Sequence, residues 1–272
     1  MKEKRKILTL VIFLFQINIL SSQNLTVQDS TLTTTQEVPS IKPDNKLSYK
    51  QFIIPAILIG YGFYALECDG LLDFNKEVKE EVYLEHPHGF LHVDDYTQYS
   101  PAVAVFGLQA LGIKGKNSVK DELIIYALSV GITTAVVYPL KKITKEWRPD
   151  HSAPNSFPSG HTAISFASAE FLRREYKDIS PWYGIAGYAV ASGTGFLRMY
   201  NNKHWFSDIA AGAGIGIAST TMAYWLHDKI RWGKKKTNTA TIYPIYNNSV
   251  LGVGLVKNFG TAEVISSLYS FI

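Results

Sequence analysis

Eight residues in the second half of the chain have the types and spacing for phosphoryl chemistry. Lys141 and Arg148 stand with six residues between them in KKITKEWRPDH, and Pro149 follows the arginine. Ser159, Gly160 and His161 stand together in PNSFPSGHTAISF (154–166), where a proline-rich turn runs into an apolar stretch. Arg198, His204 and Asp208 share RMYNNKHWFSD. Three clustered cations need an anion between them, and a tetrahedral oxyanion suits arginine forks. Backbone N–H groups of Ser159, Gly160 and His161 at a helix start would add donors and a favourable dipole. His204 and Asp208 at i, i+4 would share one helical face, so the carboxylate fixes the ring and frees the other nitrogen as a nucleophile. His161 can then protonate a leaving oxygen and later deprotonate water. The set suits a two-step phosphoryl transfer through a phosphohistidine, with no metal required because the cations would neutralise the equatorial oxygens.

Each piece alone has a plainer reading. A Lys–Arg pair beside an apolar segment is usually an interfacial anchor. PSGH is often only a turn and a cap, and a His–Asp pair is often a structural hydrogen bond. The ordered set of all three is what carries the chemistry.

The elements that must position these groups are six apolar segments at about 51–66, 99–113, 121–140, 160–176, 181–199 and 206–227. All exceed strand length and are rich in Ala, Gly, Leu and Ile, so they read as helices. In an antiparallel bundle, the third segment's end, the fourth's start and the fifth–sixth junction share one face. The site residues lie at those places. GAGIG (212–216) follows no strand and sits inside an apolar run, so it reads as close helix packing rather than a nucleotide loop.

The 272 residues are 46% hydrophobic and 18% charged, with net charge +4 and mean hydropathy +0.01. That balance, with no basic stripe bearing aromatics, argues against a nucleic-acid partner, and the short segments 51–66 and 99–113 beside the long 121–140 and 206–227 place the bundle at the border of membrane-embedded and soluble. The single cysteine, Cys68, excludes an internal disulfide. MKEKRK followed by ILTLVIFLFQINIL reads as a signal peptide or N-terminal anchor over 1–23. A polar, Thr-rich linker is expected at 24–48, the helical domain at 49–235 and a hairpin-like extension at 236–272. The acidic stretch at 67–98 holds His86, His88, His92, Asp94 and Asp95. It could hold a metal on paper, but its spacing matches no standard site, so a surface or lid loop is expected.

The three motifs resemble those of the type 2 phosphatidic acid phosphatase superfamily, over about residues 99–227. The resemblance implies an all-α, six-helix bundle without cofactor; the apolar segments make it membrane-embedded, and the residues after 236 read as a short C-terminal β-like extension. It implies phosphate binding by Lys141, Arg148, Ser159, Gly160 and Arg198, general-acid work by His161, attack by His204 and support from Asp208. Leu197 departs from the family's Ser or Thr before the third-motif arginine. PSGH matches the phosphatase form rather than the haloperoxidase form. The implied substrate is a phosphorylated membrane lipid, with lipid A phosphate first. Undecaprenyl pyrophosphate, phosphatidylglycerophosphate or, for a soluble periplasmic enzyme, small phosphomonoesters are the alternatives. Basic loops at 114–120, 173–177 and 229–236 lie opposite the site and put it on the periplasmic side of an inner membrane.

Overall fold

A computed structural model describes residues 47–85, 88–233, 240–247 and 250–257. The leader at 1–23 and nearly all of the linker at 24–48 lie outside the described residues, as does His86. All six apolar segments are helical. They are α1 (Ile53–Tyr64, entered through a 3-10 turn at Tyr49–Phe52), α4 (Ser100–Ala110), α5 (Val119–Thr144), α6 (Gly160–Tyr176), α7 (Pro181–Tyr200) and α8 (Phe206–Gly233). The stretch at 67–98 is more ordered than a loop. It holds α2 (Asp69–Lys79), a π turn at Glu80–Leu84 and the single turn α3 (Asp94–Thr97). Its charged residues hid an amphipathic surface helix. After the bundle, β1 (Ala240–Asn247) pairs antiparallel with β2 (Val250–Lys257), Asn247 opposite Val250.

Local chemistry sets the helix ends. Ser118, Ser159 and Ser180 each accept from the backbone two or three residues on, at Asp121, Thr162 and Trp182, capping α5, α6 and α7. Pro181 occupies the first turn of α7. Lys145, with φ 49°, closes α5 in the left-handed region.

The centre of the bundle is α6, whose residues from Thr162 to Tyr176 are almost all buried, packed between α7 and α8. α8 also packs on α1 and α5. The packing is close because α8 offers glycines to its neighbours. A methyl on Gly212 would lie 2.6 Å from the Ser159 carbonyl oxygen, and one on Gly216 would overlap the Ala163 carbonyl. Gly214, on another side of the helix, would meet the Pro55 carbonyl of α1 at 2.7 Å. GAGIG is therefore a packing surface.

The outside of the bundle is apolar. Leu123, Ile124, Tyr138 and Ile143 of α5, Ile53, Ile54 and Ile57 of α1, and Trp182 and Phe196 of α7 are exposed. Val119–Thr144 and Phe206–Arg231 are each long and apolar enough to cross a bilayer. α1 and α2 with its π turn form a third apolar pair, bent by 94°. The exposed apolar faces and these spans mark a membrane protein.

Gly212→Ala and Gly216→Ala should each destabilise by about 1–3 kcal/mol, since backbone opposes the new methyl. Gly60→Ala, with nothing within 4 Å, should be neutral or stabilising by up to about 1 kcal/mol. Thermal unfolding in detergent reads both, and equal shifts would contradict the packing argument.

Candidate active site

At the end of the bundle where α5 finishes and α6 begins, the chain between α7 and α8 brings His204 inside. Asn202, with φ 56°, and the Lys203 N–H to the Arg198 carbonyl (3.0 Å) turn the chain off α7. His204 is only 3% exposed. Its Nδ1 lies 3.2 Å from Oδ2 of Asp208, which is wholly buried. That carboxylate oxygen also accepts from Ser156 Oγ at 2.5 Å and from the Trp205 N–H at 2.9 Å. The pairing differs from the expected one. His204 precedes α8 and only Asp208 is helical, in the first turn, so the pair straddles the helix start. The chemistry is kept: Nδ1 is the proton donor to a carboxylate, which leaves Nε2 for attack.

Ser159, Gly160 and His161 open α6, but their amides are not equivalent. The Ser159 N–H donates to the Asp208 carbonyl at 3.0 Å, and its hydroxyl accepts from Thr162. The expectation that the Ser159 amide faces an anion is therefore corrected: it ties α6 to α8. The N–H groups of Gly160 and His161, at the first two helical positions, have no intrahelical acceptor and point from the positive end of the dipole.

The cations come from three places. Lys141, one turn before the end of α5, donates to the carbonyls of Asn155 (2.5 Å) and Ser156 (3.0 Å). Arg148 Nε donates to Asn155 Oδ1 at 2.9 Å. Arg198 is 5% exposed, pairs with the buried Asp94, and keeps its Nε without a partner. All three are close enough to His204 to press on its charge. Burial first, then Lys141, Arg198 and Arg148, holds the His204 imidazole well below its ordinary value, which favours the neutral ring. His161 is lowered by burial and by Arg198, while the hydrogen bond to Asp95 and the charges of Asp94 and Asp95 oppose that shift.

Several site neighbours were not legible as such in the sequence. Ser156 sits inside PNSFPSGH yet looked like turn filler. Asn75 of α2 brackets Ser207 through Nδ2 to Oγ (2.9 Å) and the Ser207 N–H to Oδ1 (3.2 Å), docking α2 beside His204. Asp94 and Asp95 reach Arg198 and His161 from α3. Of the histidines at 67–98, His88 stacks on Tyr200 and His92 lies 3.4 Å from Asp95. Asp94, Asp95 and His161 offer ligand atoms within 4.8 Å of one another. Arg198 already holds Asp94, so a metal there would compete with a fixed guanidinium.

Residues 122–232 match the model of the PAP2 superfamily. Over 139 residues, 51% of this chain and 31% of the relative, the sequence is 40% identical to a lipid A 1-phosphatase of Porphyromonas gingivalis. Over 81 residues, 30% of this chain and 38% of the relative, it is 33% identical to the bacitracin transport permease protein BcrC of Bacillus licheniformis. The chain thus spans less than two-fifths of the length of these curated relatives. Among solved structures it is similar to Aquifex aeolicus LpxE, with 21% identity and a TM-score of 0.38 over 66% of this chain and 96% of that one. It is also similar to a PAP2-type phosphatidylglycerolphosphate phosphatase of Bacillus subtilis, with 17% identity and a TM-score of 0.47 over 67% and 98%.

A pocket of this charge should bind orthovanadate. Arg148→Ala should weaken that binding about 10–100-fold, the loss of one charged hydrogen-bonding group. Calorimetry on the purified protein measures it, and unchanged affinity would remove Arg148 from the oxyanion site.

Proposed function

Taking the PAP2-superfamily domain at residues 122–232 as premise, we propose that this protein is a metal-independent phosphatase for a phosphomonoester of a membrane lipid, acting through a phosphohistidine at His204. The observation that carries the reading is the buried His204, held by the Asp208 carboxylate and within electrostatic reach of Lys141, Arg148, Arg198 and His161. His204 Nε2 forms the N–P bond as the P–O bond to the lipid breaks, and His161 gives its proton to the leaving oxygen. His161 then takes a proton from water, the water oxygen bonds to phosphorus, and the N–P bond breaks to release phosphate. The cations and the Gly160 and His161 amides hold the three equatorial oxygens throughout.

The lipid part of the reading rests on a groove of about 200 Å³ beside the site. Thr133, Val137, Tyr138 and Ile164 line it, and Lys141 and His161 stand at its inner end. On α5 it runs from the buried Thr133 and Val137 to Tyr138, which is exposed on the apolar outside of the bundle, so a phosphate whose lipid stays in the bilayer can reach the histidines sideways. Lipid A phosphate is the preferred substrate, supported by the identity to the Porphyromonas gingivalis lipid A 1-phosphatase. Undecaprenyl pyrophosphate and phosphatidylglycerophosphate are the competing lipids, and an assay of purified protein against all three with 4-nitrophenyl phosphate separates them. Preference for the small ester would favour a general acid phosphatase. The site is proposed to face the periplasm, opposite the basic loops at 114–120 and 173–177.

His204→Ala should abolish hydrolysis while the unfolding temperature barely moves; more than a tenth of wild-type rate would remove it as nucleophile. His161→Ala should slow the lipid ester far more than 4-nitrophenyl phosphate, whose leaving group needs no proton. The pH profile of kcat/KM should peak on the acid side of neutrality. Falling pH stops the reaction only when His204 protonates, well below the ordinary value of roughly 6.5. Rising pH stops it once His161, also lowered, loses its proton. A profile centred above pH 8 would contradict both assignments.

A further inference from the structure

The second histidine has a carboxylate partner of its own, and it comes from the segment at 67–98 rather than from the three motifs. Asp95 Oδ1 lies 2.9 Å from His161 Nε2. The contact is held from behind. Asp94, the preceding residue, is fully buried on Arg198 and accepts from Asn201 Nδ2 at 3.3 Å. The Asn201 side chain also grips both backbone groups of Leu91, at 2.9 and 2.8 Å. Thr97 is bonded to Thr194 at 2.9 Å. The single turn α3 is thus pinned to the end of α7 on both sides of Asp95, which fixes where its carboxylate can point.

From this arrangement we propose that Asp95 is a positioning residue for the proton-transfer steps: it orients the His161 ring and keeps it protonated until the leaving oxygen appears. The proposal rests on the phosphatase reading above. The need for such a partner follows from the charges that face His161. Arg198 faces it from α7, Lys141 of α5 lines the same groove, and His204 lies within electrostatic reach, so a proton on His161 adds one more positive charge to a cationic pocket. Asp94 spends its charge on Arg198. Asp95 is the carboxylate in hydrogen-bonding reach of the His161 ring itself.

With Nε2 donating to Asp95, Nδ1 is the nitrogen that serves the substrate. It gives its proton to the lipid oxygen as the P–O bond breaks and takes one back from the attacking water, while Nε2 keeps its proton on Asp95 throughout. The site then holds two His–Asp pairs with opposite tasks. The buried pair His204–Asp208 presents a neutral nitrogen, and the half-exposed pair His161–Asp95 presents a protonated one.

The test uses the full-length protein in detergent as wild type, Asp95→Asn and Asp95→Glu. Each is assayed across pH with 4-nitrophenyl phosphate and with the lipid that wild type hydrolyses fastest. Asp95→Asn should lower kcat on the lipid about 10–100-fold, within the span of general-acid contributions, with little change in KM. The basic limb of its profile should move about one unit lower. The aryl ester should be barely slowed, and Asp95→Glu should recover most of the loss. Equal slowing of both esters with an unmoved profile would make Asp95 merely structural and overturn the proposal. So would a lower KM with a faster rate, which would mean that the carboxylate blocks the site. A wild type inactive on every ester would overturn the phosphatase reading itself.

Discussion

The site depends on one backbone hydrogen bond between two helices. The Ser159 N–H donates to the Asp208 carbonyl, joining the residue before α6 to the first turn of α8. One partner caps the helix that carries His161, and the other carries the carboxylate that holds His204. The bond can form only because the helices approach at Gly212, where a side chain would strike the Ser159 carbonyl. The spacing of the two histidines is therefore set by the absence of a methyl group at Gly212, one turn past Asp208 in α8. Gly216 continues the same contact against Ala163, so the two helices are locked in register along a second turn. Small residues that look like filler in the sequence decide where the chemistry occurs.

Charge is the second constraint. Placing Lys141, Arg148 and Arg198 around one buried histidine costs energy unless each has somewhere to put its charge. Arg198 rests on Asp94. Lys141 is held by the Asn155 and Ser156 carbonyls and Arg148 by the Asn155 side chain, all in the turn that leads into α6. The turn is thus the template on which two of the cations are laid out, and Ser156 at its heart also bonds Asp208. Burial first, and then the same three cations, hold the His204 imidazole well below its ordinary value, so the groups proposed to bind phosphate also favour the neutral form of the proposed nucleophile.

The helices and the eight principal residues were legible because both signals are local. Apolar runs of 15 residues or more can only be helices here, and the motifs sit at helix ends whose order in an antiparallel bundle makes them meet. What could not be read was whatever reaches the site from elsewhere in the chain. Asp94 and Asp95 stand more than 60 positions from their partners, in a stretch whose acidic composition suggests solvent. Asn75 meets Ser207 across 132 positions. The true position of His204, just outside α8, escaped for another reason: helix boundaries depend on which residue turns left-handed, and Asn202 gave no unambiguous sign of it. The role of the Ser159 amide escaped because a donor at a helix start looks the same whether it faces an anion or a neighbouring carbonyl.

The two ends of the bundle divide the labour. Far from the site, Glu170 of α6 binds Arg173 and Arg174 and accepts from Tyr188 of α7. Glu175 takes Asn117 and Tyr224, and Asp121 takes His227 and Arg231. Each of these three carboxylates is met by donors from another element or the next turn, so it fastens helices together, while Glu122 Oε2 and His227 Nδ1 at the same end are buried without hydrogen-bond partners. The candidate-site end has such unmet groups as well: Arg198 Nε and Asp208 Oδ1 are buried without partners. Unmet hydrogen-bonding capacity of this kind is costly in a finished core. Around His204, Arg198 Nε is left to donate to the phosphate oxygen proposed to bind there.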